Sequence, residues 1–181
     1  MTDFYRQPDE PQAPLILTAM MEESAAQRFD AMRRAYFPPE RNRIQAHLTM
    51  FHALPGSALA EIEDELAERS WQLEPIEALA AGLRFTGHGV AIGIEASPLE
   101  RLRVGIAQSW MERLTPQDRQ RFRPHVTVQN KVTPERAQRT YDALQSVFEP
   151  WRFVIEGLEL WHYRGGPWER AATFPFGGAP G

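Results

Sequence analysis

The feature that most constrains this chain is a repeat in the order of its elements. Two short steps mark it, His47-Leu48-Thr49 and His125-Val126-Thr127, which stand 78 residues apart. Each lies in a strand-like stretch, Ile44 to about Leu54 and Arg123 to Val132. Helical patterns follow at 57–71 and 135–149, displaced by the same 78 positions. An apolar run from Leu15 to Met21 and a helix from Glu22 to about Phe37, stopped by Pro38-Pro39, precede the first step. Two strands within 76–96, turning at Thr86-Gly87-His88-Gly89, and a helix from Ser97 to about Leu114 precede the second. Two closing strands lie within 151–164 and 169–176.

This order predicts an α+β fold. The duplicated α/β unit forms two pseudo-symmetric lobes, with mostly antiparallel sheets facing a central cleft. The expected organisation is one bilobal domain over 14–176, a flexible arm over 1–13 and a frayed tail over 177–181. At the helix starts, Ser57 is expected to cap the helix over 57–71, and Ser97-Pro98-Leu99-Glu100 reads as a capping box. Thr133-Pro134-Glu135 opens the last helix.

Composition narrows the function classes. The chain has 181 residues, 43% of them hydrophobic, enough to bury a sizeable single core. It has no cysteine, which removes disulfides, thiolate metal sites and cysteine nucleophiles together. No apolar run is long enough for a membrane span, and the polar, proline-containing start does not resemble a targeting segment, so a cytoplasmic protein is expected. The net charge of −4 argues against a general polyanion binder, and Lys131 is the single lysine.

Within each step the strand period of two places an imidazole and a hydroxyl on one face and sends Leu48 or Val126 to the other. Across a pseudo-twofold cleft the two His-Thr pairs would face each other. One neutral and one protonated imidazole make a base and an acid near neutral pH. Thr49 and Thr127 would donate hydroxyl hydrogen bonds to a substrate oxygen as charge develops. Arg123 precedes His125 by two and is the first choice for an anion-binding cation, with Arg43 as an alternative. Phe51, on the expected His47 face, could stack a ring of the substrate, or pack in the core. Tyr163 and Trp168, beside Gly165-Gly166, could rim the cleft. His52, His88 and His162 read as structural or surface residues, His52 because alternation turns it away from His47.

The paired steps, written out as HLTM and HVTV, resemble the defining H-x-[ST]-hydrophobic motifs of the 2H phosphoesterases. Bacterial proteins named 2′-5′ RNA ligases and RNA 2′,3′-cyclic phosphodiesterases belong to that superfamily. The resemblance spans roughly 14–176, and it implies metal-independent, cofactor-free cleavage or formation of a 2′,3′-cyclic phosphate or 2′-5′ phosphodiester. By analogy His47 is the acid and His125 the base, although the symmetry of the two steps allows the exchange. Thr49 and Thr127 then donate to phosphate oxygens, Arg123 or Arg43 pairs with the phosphate, and Phe51 stacks a base or ribose or packs in the core. The implied partner is a small nucleotide or RNA terminus, handled by a monomer with no extended nucleic acid and no membrane. A binding module without turnover is the alternative, though binding alone needs no matched acid and base. A metal hydrolase would need a third ligand where the motifs offer threonine. No P-loop, G-x-G-x-x-G or G-x-S-x-G is present to support a nucleotide-dependent ligase or a serine hydrolase.

Overall fold

The computed structural model describes residues 12–177, so residues 1–11 of the expected arm and 178–181 of the expected tail lie outside the described residues. The chain runs β1 (Leu15–Met21), α1 (Glu23–Tyr36), β2 (Leu48–Leu54), α2 (Leu59–Trp71), β3 (Ile76–Phe85), β4 (Val90–Glu95), α3 (Ser97–Trp110), β5 (His125–Gln129), α4 (Pro134–Gln145), β6 (Trp151–His162) and β7 (Glu169–Pro175). Short 3-10 turns precede α2 and follow α3.

Every strand pairing is antiparallel, and the sheet order is β2-β1-β6-β3-β4-β5, with β7 also on β6. β6 is the shared strand. Its first residues, Trp151 to Ile155, pair with β3, while Gly157 to His162 pair with both β1 and β7. Each lobe is therefore four strands, β2-β1-β6-β7 and β6-β3-β4-β5, joined through one long strand. The fold is α+β with the expected antiparallel, two-lobed plan. β2 and β5 end opposite sides of the sheet order, yet they contact each other because the twisted sheet curls on itself. That curl brings the two motif strands together.

The helices bury the apolar stripes read from the sequence. Phe29 of α1, Ile62 and Leu66 of α2, Leu99 and Ile106 of α3 and Leu144 of α4 join strand residues such as Leu17, Leu48, Ile92, Val126 and Leu158 in one core. Each such side chain contributes about 1.5–3 kcal/mol on leaving water. The helix starts differ from expectation at two places. α2 follows a 3-10 turn at Gly56–Ala58, and the Ser57 hydroxyl instead accepts a bond from Arg113. Gly56 is packed so closely against the carbonyls of Gln12 and Ala13 that a side chain there would collide with backbone, so these two residues of the expected arm are held in place. In α3, Ala96 occupies the N-cap position and Ser97 is already helical, so its side chain makes no cap. Thr133 does cap α4, accepting from the Arg136 N–H at 3.3 Å. At the other end of the chain Gly177, assigned to the tail, donates to the Ser70 carbonyl.

Candidate active site

The two motif histidines are built alike. His47 sits immediately before β2, and its Nδ1 lies 2.8 Å from the Gln45 carbonyl. His125 opens β5, and its Nδ1 lies 2.8 Å from the Arg123 carbonyl. A ring nitrogen facing a carbonyl must carry the hydrogen, so both rings are fixed in the Nδ1–H tautomer, and among the described residues nothing bonds either Nε2. Both line one cavity of about 160 Å³ with Thr49 and Thr127, between Ile16 and Trp168. That volume is below the roughly 300–1,000 Å³ of pockets for whole small molecules, so it suits a chemical group.

Burial lowers the pKa of both rings from the ordinary 6.5; the Nδ1 bonds to Gln45 and Arg123 oppose the shift, while neighbouring positive groups add to it. Those neighbours are Arg33, His125 and His52 around His47, and Arg84 and His52 around His125. Each imidazole is thus biased towards its neutral form.

After each threonine the strand alternation breaks. Thr18 pairs with Thr49 but Leu17 pairs with Phe51, leaving Met50 as an extra residue. On β5, Ala91 pairs with Thr127 and Val90 with Gln129, leaving Val128 extra. A β-bulge of this kind shifts every later side chain to the opposite face. Of the two readings of Phe51 the core one holds, since it is fully buried and cannot stack a base. One expectation is corrected: His52, expected to turn away, faces the cavity of His47 and His125. His88 keeps its structural role: from the β3–β4 turn its Nδ1 lies 3.2 Å from the Val132 carbonyl, just past β5.

Two basic depressions flank the cavity. On the His47 side Arg33, Arg41, Arg43, Asn130 and Lys131 line one beside Trp168. On the His125 side Arg84, Arg121 and Arg123 line another with Thr49 and His52. Arg123 and Arg43, the cations expected from sequence, therefore border the site on opposite flanks, and the fold adds Arg33, Arg41, Lys131, Arg84, Arg103 and Arg121. Trp168 packs against His47 at 4.7 Å between ring centroids. Tyr163 does not reach the cavity. It is 43% exposed beyond the end of β6, where its N–H is bonded to the Pro14 carbonyl.

Two buried arginines, absent from the sequence reading, cross between the lobes. Arg33 of α1 donates to the Thr127 carbonyl at 2.9 Å and to Asn42 at 3.0 Å. Arg103 of α3 donates to the Met50 carbonyl at 2.7 Å and to the Asp118 carbonyl at 2.6 Å. Each lobe's first helix thus grips the motif strand of the other. The sequence signal for them was positional, for each arginine sits four residues after a core residue, Phe29 or Leu99, where an apolar helical face would continue. Among the described residues no set of three His, Cys, Asp or Glu side chains is grouped for a metal ion, and no helix is long and apolar enough to cross a membrane.

Solved structures share this fold. TT0787 of Thermus thermophilus is 16% identical over 91% of this chain and 98% of its own, with a TM-score of 0.68. E. coli LigT complexed with NADP+ is 16% identical over 92% of this chain and 99% of its own, with a TM-score of 0.54. LigT complexed with 3′-AMP gives 17%, 91%, 98% and 0.56. At such identities the likeness is one of fold. No curated protein matches the chain by sequence at a significant level. The family model described as the 2′-5′ RNA ligase superfamily matches residues 21–167, a span that contains both His-x-Thr steps and Trp161, and the chain belongs to that superfamily.

Proposed function

We propose that the chain is a phosphoesterase that opens, or in reverse forms, a 2′,3′-cyclic phosphate or 2′-5′ phosphodiester on a small nucleotide or RNA terminus. The observation that carries this reading is the matched pair of imidazoles. Each is locked through Nδ1, each has a free Nε2, and each has its threonine in the same phosphate-sized cavity. In the hydrolytic direction, neutral His125 takes a proton from water as the water oxygen bonds to phosphorus. Protonated His47 gives its proton to the ribose oxygen as the bond from that oxygen to phosphorus breaks. Thr49 and Thr127 donate to the non-bridging oxygens. No step draws on a cofactor. A superfamily relationship and the nucleotides bound by LigT, NADP+ and 3′-AMP, support a ligand of nucleotide size. The flanking cations suit the phosphates next to the reacting one, so the terminus of a short strand fits without a long basic track.

The deciding assay offers the protein 2′,3′-cyclic mononucleotides, oligonucleotides ending in a cyclic phosphate, and 2′-5′ dinucleotides, with chelator present. Turnover of at least one class is expected, with products resolved as 2′- or 3′-phosphates. Tight nucleotide binding without turnover of any of them would favour the binding-module reading.

The pH dependence has a defined sign. The kcat/KM profile reports the free enzyme and should be a bell, since one imidazole must be neutral and the other protonated. Because both rings titrate below 6.5, both limbs move down and the optimum falls on the acid side of that value. The kcat profile should lie at higher pH, because a bound phosphate favours imidazolium. A kcat/KM optimum well above neutrality would contradict this assignment. Thr49→Val and Thr127→Val keep side-chain size and remove a donor, and each should lower turnover by about tenfold to a thousandfold. A variant with unchanged turnover but a lower melting temperature would make that threonine a structural residue.

A further inference from the structure

His52 shares the reacting cavity with both motif pairs, yet the two-histidine reading gives it no task. Its surroundings differ from those of the other two rings. Where His47 and His125 turn Nδ1 to a carbonyl, His52 turns Nδ1 to the Asp118 carboxylate at 3.1 Å. Asp118 is only 1% exposed, and it also accepts from the main-chain N–H of His52 and of Ala53, the latter at 2.8 Å. Burial alone would raise its pKa, but these donors outweigh that and hold the carboxyl below its usual range. Arg103 clamps the Asp118 main chain from behind. The His52 side chain itself is 49% exposed on the cavity side. A costly buried carboxylate thus holds one cleft imidazole in one tautomer, with Nε2 unbonded.

We propose that His52 is a third imidazole of the phosphate site, which as imidazolium keeps Nδ1–H on Asp118 and donates Nε2–H to a non-bridging substrate oxygen, and that Asp118 is its positioning residue. This rests on the reading of the cleft as a phosphodiester site. His52 stands where the cavity opens into the depression lined by Arg84, Arg121 and Arg123, beside Thr49 and His125. A phosphate there would leave the ring between a carboxylate and an anionic oxygen, the setting of a charge-assisted hydrogen bond. The pseudo-symmetry supports the placement. Asn130 is the fifth residue after His125, as His52 is after His47, and it lines the opposite flank. Its Oδ1 accepts from Lys131 N–H, which turns its amide nitrogen outward as a donor. Each lobe therefore carries a histidine, a threonine and, past its bulge, a third polar group at the cleft.

Two measurements on the full chain test this. In nitrogen-15 imidazole spectra, His52 should carry a proton on Nδ1, and inorganic phosphate or a nucleoside 2′-monophosphate should bring a second proton to Nε2 and shift that resonance. In kinetics on a cyclic mononucleotide, His52→Ala should raise KM by about tenfold to a hundredfold, more than it lowers kcat, with the melting temperature little changed. His52→Gln, which restores a donor, should recover part of that loss. Asp118→Asn should scramble the tautomer and raise KM with His52 still present; if that variant does not fold, the two His52 variants decide the matter. A His52→Ala enzyme with KM indistinguishable from the parent, or a His52 resonance unmoved by saturating phosphate, overturns the proposal. A parent protein that turns over no phosphodiester but still shows the phosphate-dependent His52 shift would refute the enzymatic reading and leave this one standing.

Discussion

Replacing either His47 or His125 by alanine is expected to lower turnover by about two to four orders of magnitude, the loss of one acid or one base. Neither ring can take over the other's work, because each is pinned to a carbonyl on its own lobe, at Gln45 or Arg123, and serves its own side of the phosphate. The double variant should be little worse than either single one, since the members of one catalytic unit are not additive. The fold should survive both changes. Both rings lie at the cleft, and each is held in a form that acid disfavours: as pH falls below 6.5, the unfolded chain takes up protons before the folded one, so stability declines. Removing a ring should therefore leave stability in mildly alkaline buffer almost unchanged and flatten its fall as the solution is acidified. If either single variant kept near-full turnover, the two-histidine mechanism would be wrong.

Much of this was legible in the sequence because it repeats and because it is periodic. The paired His-x-Thr steps, the apolar stripes of the four helices and the Thr133 cap all follow from local spacing, and the structure contains them. What sequence reading missed has one main physical origin. Strict alternation predicts that one of Met50 and Phe51 faces the cleft, yet both are buried. An apolar pair in mid-strand is the mark of a bulge, and the bulge is what exchanges the fates of Phe51 and His52. The same device after Thr127 buries both Val128 and Gln129 and delivers Asn130 to the cleft. Asp118 was out of reach for a different reason. It lies 66 residues from His52, in a turn with no motif of its own, and only the approach of β2 to the segment before β5 brings the two together. Arg33 and Arg103 were hidden because arginine on a helix reads as solvated, and the partners they reach on the motif strands are main-chain carbonyls, which no side-chain pattern reveals.

Arg103→Met should cost about 2–5 kcal/mol of folding stability, a large effect for one side chain. Arg103 is 5% exposed and its guanidinium lies 3.7 Å above the Phe51 ring. Methionine keeps part of the packing but leaves the buried carbonyls of Met50 and Asp118 without their donors, and an orphaned acceptor costs about 1–3 kcal/mol. Lysine should not rescue the site, because a point charge cannot span two carbonyls as the planar fork does. Arg152→Met is the comparison. Arg152 is ion-paired with Glu77, but its side chain is 68% exposed, and pairs of that kind contribute about 0–1 kcal/mol. Urea unfolding of the two variants in one neutral buffer measures the difference directly. If Arg103→Met lost less than about 1 kcal/mol, the guanidinium would not be what holds the β2 bulge against α3. If the loss is as large as expected, the folded fraction of the variant should also turn over poorly. The Met50 carbonyl that Arg103 grips lies between Thr49 and His52, so the same bond that stabilises the lobe junction aims both side chains into the cleft.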